Sequence, residues 1–97
     1  MQASTTAHDN TAVGYASLLD MTTATGNTVF GNYAGENITT GYSNACIGRS
    51  SGDVLTTGYG NTLLGYGTNV SANSGTFQIV LGNGVVGHGD NKLTFGQ

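Results

Sequence analysis

The chain has 97 residues, with 17 Gly, no Pro, no Trp and a single Cys, and only 7% of it is charged, against about 25% in an ordinary soluble domain. A net charge of −3 with two basic residues, Arg49 and Lys92, excludes nucleic-acid binding, which needs clustered cations to neutralise phosphates. The lone Cys46 excludes an intrachain disulfide and a cysteine metal centre, and reads as a small buried hydrophobe.

Residues 1–9 are polar and read as a lead-in. No apolar run reaches the length of a membrane span, so no membrane insertion is expected. Met1-Gln2-Ala3-Ser4-Thr5-Thr6 has neither the basic nor the apolar region of a signal peptide. A protein of this kind working outside a cell would leave inside a virion, or as a piece of a longer chain.

Asn10-Thr11-Ala12-Val13-Gly14 then opens a series. The same five-residue pattern returns at Asn27, Asn44 and Asn61, and as a variant at Gln78, always seventeen residues on. A fixed period marks a repeat architecture. Units two and three match best: Ala34-Gly35-Glu36 answers Ser51-Gly52-Asp53, and Thr39-Thr40-Gly41-Tyr42 answers Thr56-Thr57-Gly58-Tyr59. Unit one carries Ser17-Leu18-Leu19 in place of the small residue, Gly and acid, and unit four carries Thr68-Asn69-Val70. Repeats fill residues 10–82, and 83–97 read as a transition segment.

Each unit holds a short apolar run of β-branched or aromatic residues bounded by Asn and Gly, which is a strand signal. Gly every few residues costs about 1 kcal/mol each inside a helix, so helix is excluded. The fold class predicted is all-β: a parallel β-solenoid of 17-residue repeats, with two short strands and two tight turns per unit. Stacking places Asn10, Asn27, Asn44 and Asn61 one above another as an amide ladder. Gly14, Gly31, Gly48, Gly65 and Gly82 form the corners, and Gly41, Gly58 and Gly75 are assigned to turns that need φ > 0. The apolar residues assigned to the interior are Val29, Phe30, Ala34 and Ile38 in unit two, and Cys46, Ile47, Val54 and Leu55 in unit three. That core is thin for a chain under about 100 residues, and a symmetric homo-oligomer is the usual remedy.

The pattern Asn-Thr-x-Ile/Val-Gly-x-x-Ala/Ser-Gly-x-x-x-Thr-Thr-Gly-Tyr over residues 10–82 resembles the repeats of phage tail-fibre proteins. It is similar, more distantly, to the head repeats of trimeric autotransporter adhesins of the YadA type. Gly87-His88-Gly89-Asp90-Asn91-Lys92-Leu93-Thr94-Phe95-Gly96 looks like the segment where such fibre repeats give way to the next module. The resemblance implies a left-handed β-roll, three chains side by side, a place in a virion tail fibre or on an extracellular surface, and a role in attachment. The 17-residue period is longer than the usual adhesin-head unit.

Other chemistry has little to draw on. Gly82-Asn83-Gly84-Val85-Val86-Gly87 matches G-x-G-x-x-G, but that motif binds a dinucleotide only where a helix opens and an acid follows about 20 residues on; His88-Gly89-Asp90-Asn91 is turn-like instead. No cofactor is expected. The only histidines, His8 and His88, lie near opposite ends, and a catalytic site needs converging groups, so no enzyme is expected. Glu36 and Asp53 share a slot and read as solvated carboxylates rather than a calcium pair; no metal is expected. Asn37-Ile38-Thr39 and Asn69-Val70-Ser71 match glycosylation sequons, which Asn- and Thr-rich repeats generate by chance.

The stacked pairs Thr22-Thr23, Thr39-Thr40 and Thr56-Thr57 allow an alternative, an ice-binding solenoid, though a Gly or its substitute after each pair reads as turn chemistry. Tyr15, Asn32, Arg49 and Tyr66 share the slot after the corner Gly, and Tyr42 and Tyr59 share another. Ladders of such residues suit recognition of host carbohydrate or protein. The expectation is a rigid, trimeric, non-enzymatic rod for host or surface attachment.

Overall fold

Each Asn-x-x-x-Gly block forms one strand of three residues, because Asn and Gly confine the extended conformation to the residues between them. The computed structural model describes residues 6–96. Its strands are β1 (Thr11–Val13), β2 (Thr28–Phe30), β3 (Ala45–Ile47), β4 (Thr62–Leu64), β5 (Ile79–Leu81) and β6 (Leu93–Phe95). They make one parallel sheet in sequence order. From β1 to β5 the register advances one repeat at a time: Thr11 pairs with Thr28, Thr28 with Ala45, Ala45 with Thr62, Thr62 with Ile79. The chain is an all-β solenoid of about 5 turns with no helix among the described residues. It measures 38 × 23 × 16 Å.

Two expectations about the path of the chain change. Each unit has one strand rather than two; the rest of the coil is bends and turns joined by single parallel bridges such as Thr25 to Tyr42 and Tyr59 to Thr76. Positive φ explains this, since Tyr33 (61°), Ser43 (56°), Ser50 (57°) and Phe77 (53°) turn the backbone where a second strand would need it extended. After Gly84 the chain makes one more turn, and Leu93 pairs with Ile79 fourteen residues behind it. Of the lead-in, residues 1–5 lie outside the described residues, while His8 already pairs with Thr25.

The interior is a set of columns, one residue per coil. The middle residue of each strand points inward: Val29, Cys46, Leu63 and Val80 are buried, and Thr94 ends the column. Ala34, Ser51, Thr68 and Val85 form a second column, and Met21, Ile38 and Leu55 a third. In coil four the third column is filled by Val70, two residues early, while Ala72 is exposed. Burial raises the Cys46 thiol to about 12, so it stays protonated and chemically quiet.

Phe30 and Ile47 were assigned to the core and are not in it. They are 42% and 41% exposed, and Val54 is 44% exposed. For Phe30 and Ile47 the cause is the pleat: successive side chains on a strand take opposite faces, so two adjacent apolar residues cannot both point inward; Val54 lies in a turn between β3 and β4.

The amide ladder is present and fully bonded. The Nδ2 of Asn44 donates to Oδ1 of Asn27 at 3.0 Å and to the Gly58 carbonyl at 3.0 Å. Its Oδ1 accepts from the Asn61 backbone N–H and from the Asn61 Nδ2, both at 3.0 Å. Asn27 repeats the pattern on Asn10 and Gly41. No described buried side-chain polar atom lacks a partner, as a polar interior requires.

The corner glycines have a steric reason beyond turning the chain. Gly31 and Gly48 sit at φ 135° and 130°, and a Cβ on Gly31 would lie 2.6 Å from the Gly48 carbonyl oxygen. Gly41 and Gly58, by contrast, are not at positive φ. Their glycine identity comes from space: a Cβ on Gly41 would meet the Gly58 carbonyl oxygen at 2.5 Å.

Candidate recognition surface

A parallel, in-register coil places like side chains one above another, about 4.8 Å apart. Three surface groupings follow from this, all positioned by β1 to β6 and the corners on either side.

The first is the outer face of the sheet. The third residue of each strand points outward, giving Val13, Phe30, Ile47, Leu64, Leu81 and Phe95 in one file. Beside it run the first residues, Thr11, Thr28, Ala45, Thr62, Ile79 and Leu93. None of these outward positions carries a charge.

The second lies just beyond the corner glycines, where Tyr15, Asn32, Arg49 and Tyr66 follow one another coil by coil in one slot. Two side-chain contacts are made here. Tyr15, 72% exposed, meets Tyr33 edge-on at 5.6 Å, and the Arg49 guanidinium lies 5.9 Å from the centre of the Tyr66 ring. Asn32 sits between them, exposed.

The third lies at the opposite corner, just before each strand. Tyr42 and Tyr59 stack face to face, with ring centres 4.5 Å apart and planes within 4°. Phe77 continues the row, edge-on to Tyr59 at 5.4 Å. It does so from a costly position. The same slot holds Asp9, Gly26, Ser43 and Gly60 in the preceding coils, all at positive φ, and Phe77 sits there at φ 53°. For a bulky residue that conformation costs about 1–2 kcal/mol. Its ring lies over Gly60, where any Cβ would strike it.

Tyr33 and Phe77 were missed in the sequence. Each is an aromatic residue in a slot that other coils fill with small residues, and that departure from the repeat is the signal that would have found them.

Asp90 stands beside the third grouping. Its Oδ1 accepts from the Thr76 backbone N–H at 2.9 Å and from Gln78 Nε2 at 3.0 Å, so it holds the residues on both sides of Phe77. The Thr76 and Gln78 donors lower its pKa. A lowered folded-state value means the contribution to stability is complete above the unfolded pKa and is lost as pH falls through the folded one. The melting difference between the parent and Asp90→Asn, which keeps the Oδ1 acceptor but not the charge, is therefore expected to be constant near neutrality. It should shrink once pH drops below the ordinary carboxylate range. A difference independent of pH would show that the charge adds nothing.

The remaining polar groups are committed locally. The Asp53 carboxylate accepts from Asn69 Nδ2 at 2.8 Å, and no group of three or more His, Cys, Asp or Glu among the described residues is placed to hold a metal. The first Thr of each pair donates its hydroxyl to a carbonyl of the next coil: Thr22 to Thr39, Thr39 to Thr56, Thr56 to Asn73. These pairs sit on bends, not on strands. Within the G-x-G-x-x-G match no helix opens; Val85 packs in the core and Val86 bridges to Asn69.

The class defined at this point is a parallel β-solenoid with an amide ladder and an uncharged sheet face. No family model matches the chain, and no curated protein or solved structure matches it.

Proposed function

We propose that the chain is a structural segment of a viral tail fibre or surface adhesin: a rigid homotrimeric rod, a left-handed β-roll, that serves attachment to a host or surface. The observation that carries this reading is the unbroken apolar file from Val13 to Phe95 on the outer sheet face. Scattered exposed hydrophobics are ordinary, but a contiguous row is not.

Two further copies of the same chain are the occupants that suit it. Every coil presents the same outward positions at the same rise, so a copy rotated about an axis parallel to the rod meets it coil for coil. The face carries no charge to desolvate. Most of these side chains are 41–71% exposed, so the file with Ile79 and Leu93 offers on the order of 600–700 Å² per chain, divided in a trimer between two neighbours, against the ~800 Å² per partner of a standard interface. The sequence resemblance supplies the number three. The edges of such a rod would show the tyrosine groupings three times over, and weak contacts would add through avidity.

Ile47→Asp tests this reading. The side chain is on the surface of one chain, so a single chain should keep its circular dichroism. In an assembled seam the buried carboxylate would cost about 3–5 kcal/mol per chain, and light scattering should change from trimer to monomer mass. A parent chain that runs as a folded monomer would overturn the reading. So would an Ile47→Asp variant that remains trimeric. A thermal-hysteresis assay separates the alternative, ice binding.

A further inference from the structure

We propose that Tyr42, Tyr59 and Phe77, with the Asp90 carboxylate beside them, form a binding platform for a neutral pyranose oligosaccharide. The proposal deepens the attachment reading, on which it rests, by giving one surface a ligand class.

Four observations carry it. The three rings form one row, with neighbouring centres 4.5 and 5.4 Å apart, and Tyr42 and Phe77 are 44% and 54% exposed. Tyr42 and Tyr59 cover each other's facing sides by stacking, so the apolar surface the row offers to the C–H face of a sugar ring is the outer part of Tyr42 and, most open of the three, Phe77. Phe77 puts a bulky side chain in a slot that is at positive φ in each preceding coil, at Asp9, Gly26, Ser43 and Gly60. A strained residue persists where its surroundings over-determine it, and such residues gather at ligand sites. Here the packing does not demand it, because coils with Gly26, Ser43 and Gly60 close the same corner without a ring.

The third observation is chemical. Asp90 is exposed, and one oxygen of its carboxylate is fixed by Thr76 and Gln78 on either side of Phe77, which leaves acceptor capacity on the group. An ionised acceptor beside an aromatic face suits a sugar, whose hydroxyls donate at the rim of an apolar ring face. The fourth is the neighbourhood. The slots around the row hold Thr25, Ser43, Gly60 and Thr76, which are neutral and small, so nothing here selects a charged ligand. The platform lies at the corner before the strands, clear of the sheet face assigned to the seam.

The test uses the whole chain and three probes: cellohexaose, maltohexaose and chitohexaose. The chain has five Tyr and no Trp, so tyrosine emission reports directly. At least one probe should give a saturable change. Phe77→Gly should lose tenfold or more in affinity while its melting temperature stays level or rises, because the strain is relieved. Asp90→Asn should lose several-fold. Should Phe77→Gly fail to fold, Phe77→Leu decides in its place, since it keeps the bulk and removes the ring. The proposal is overturned if none of the three probes binds, or if the Phe77 and Asp90 variants bind as the parent does. Light scattering on the same samples keeps the two readings apart. A trimer that binds no probe removes only the platform, and a monomer that binds one removes only the rod.

Discussion

Asn44→Ala is expected to unfold the chain near physiological temperature. The side chain is buried and makes four hydrogen bonds, two donated to Asn27 and Gly58 and two accepted from Asn61. The backbone N–H of residue 44, bonded to Asn27 Oδ1 at 2.9 Å, survives the change. The Gly58 carbonyl and the Asn61 backbone N–H lose their partner, and Asn61 Nδ2 keeps only its bond to the Gly75 carbonyl. Leaving a buried group unsatisfied costs about 1–3 kcal/mol, so stranding these groups together costs about 3–5 kcal/mol, against a total stability of only about 5–15 kcal/mol. For a domain of this size that is a fall of about 15–30 °C in melting temperature. Asn73→Ala is the control. Asn73 is exposed and its carbonyl, not its side chain, takes the bonds from coil three, so its melting temperature should hardly move. Equal, small losses in both variants would show that the ladder does not hold the coils.

Gly48→Ala should do comparable damage by a different route. The residue sits at φ 130°, and a Cβ there would lie 2.5 Å from the Gly65 carbonyl oxygen and 2.7 Å from its carbon. The obstacle is backbone, so no rotamer change relieves it. Coil four would have to lift away from coil three, which breaks the register that β3 and β4 share. Backbone strain and overpacking, about 1–3 kcal/mol each, add to about 3–5 kcal/mol. Gly67→Ala is the matching control, since its φ is 64° and nothing lies within 4 Å of the added carbon. Its cost should be about 1 kcal/mol. Thermal melts of the two variants side by side check the argument, which fails if Gly67→Ala is the more harmful.

Much of the architecture was legible because stacking copies itself into the sequence. A column of identical environments demands the same residue at every turn, so Asn10, Asn27, Asn44 and Asn61, and the glycines four positions after each, announce both the period and the interior. What was hidden follows from effects that act once rather than five times. Val70 enters the core column two residues ahead of the slot set by Met21, Ile38 and Leu55, and its misplacement looks from the sequence like a missing acid. The outward turn of Phe30 and Ile47 was hidden differently. Val29-Phe30 and Cys46-Ile47 each offer two apolar neighbours, and hydrophobicity alone assigns both to the core. The pleat of a three-residue strand allows only one. The outer residue of each pair therefore lies on the surface, in the row on which the proposed assembly rests. For the recognition surface, Tyr42 and Tyr59 were legible as a repeated slot. Phe77 belongs to the next slot along and joins them because Thr76 in the fourth coil leaves the space that a third Tyr would fill.

The hydrogen bonds that join one coil to the next run along the long axis of the molecule, as from Gly31 to Val13, Gly48 to Phe30 and Gly65 to Ile47. A tensile load along that axis therefore falls on belts of bonds in series, and the weakest belt yields first. Each 17-residue coil would then pay out roughly 55–60 Å of chain as it peels, so stretching one molecule should give a sawtooth of near-equal steps. The coil between β5 and β6, three residues shorter than the others, would give the one short step in the record. In mechanical terms the solenoid is a stack of like fuses, able to lengthen under drag by sacrificing a coil while the remaining coils stay intact.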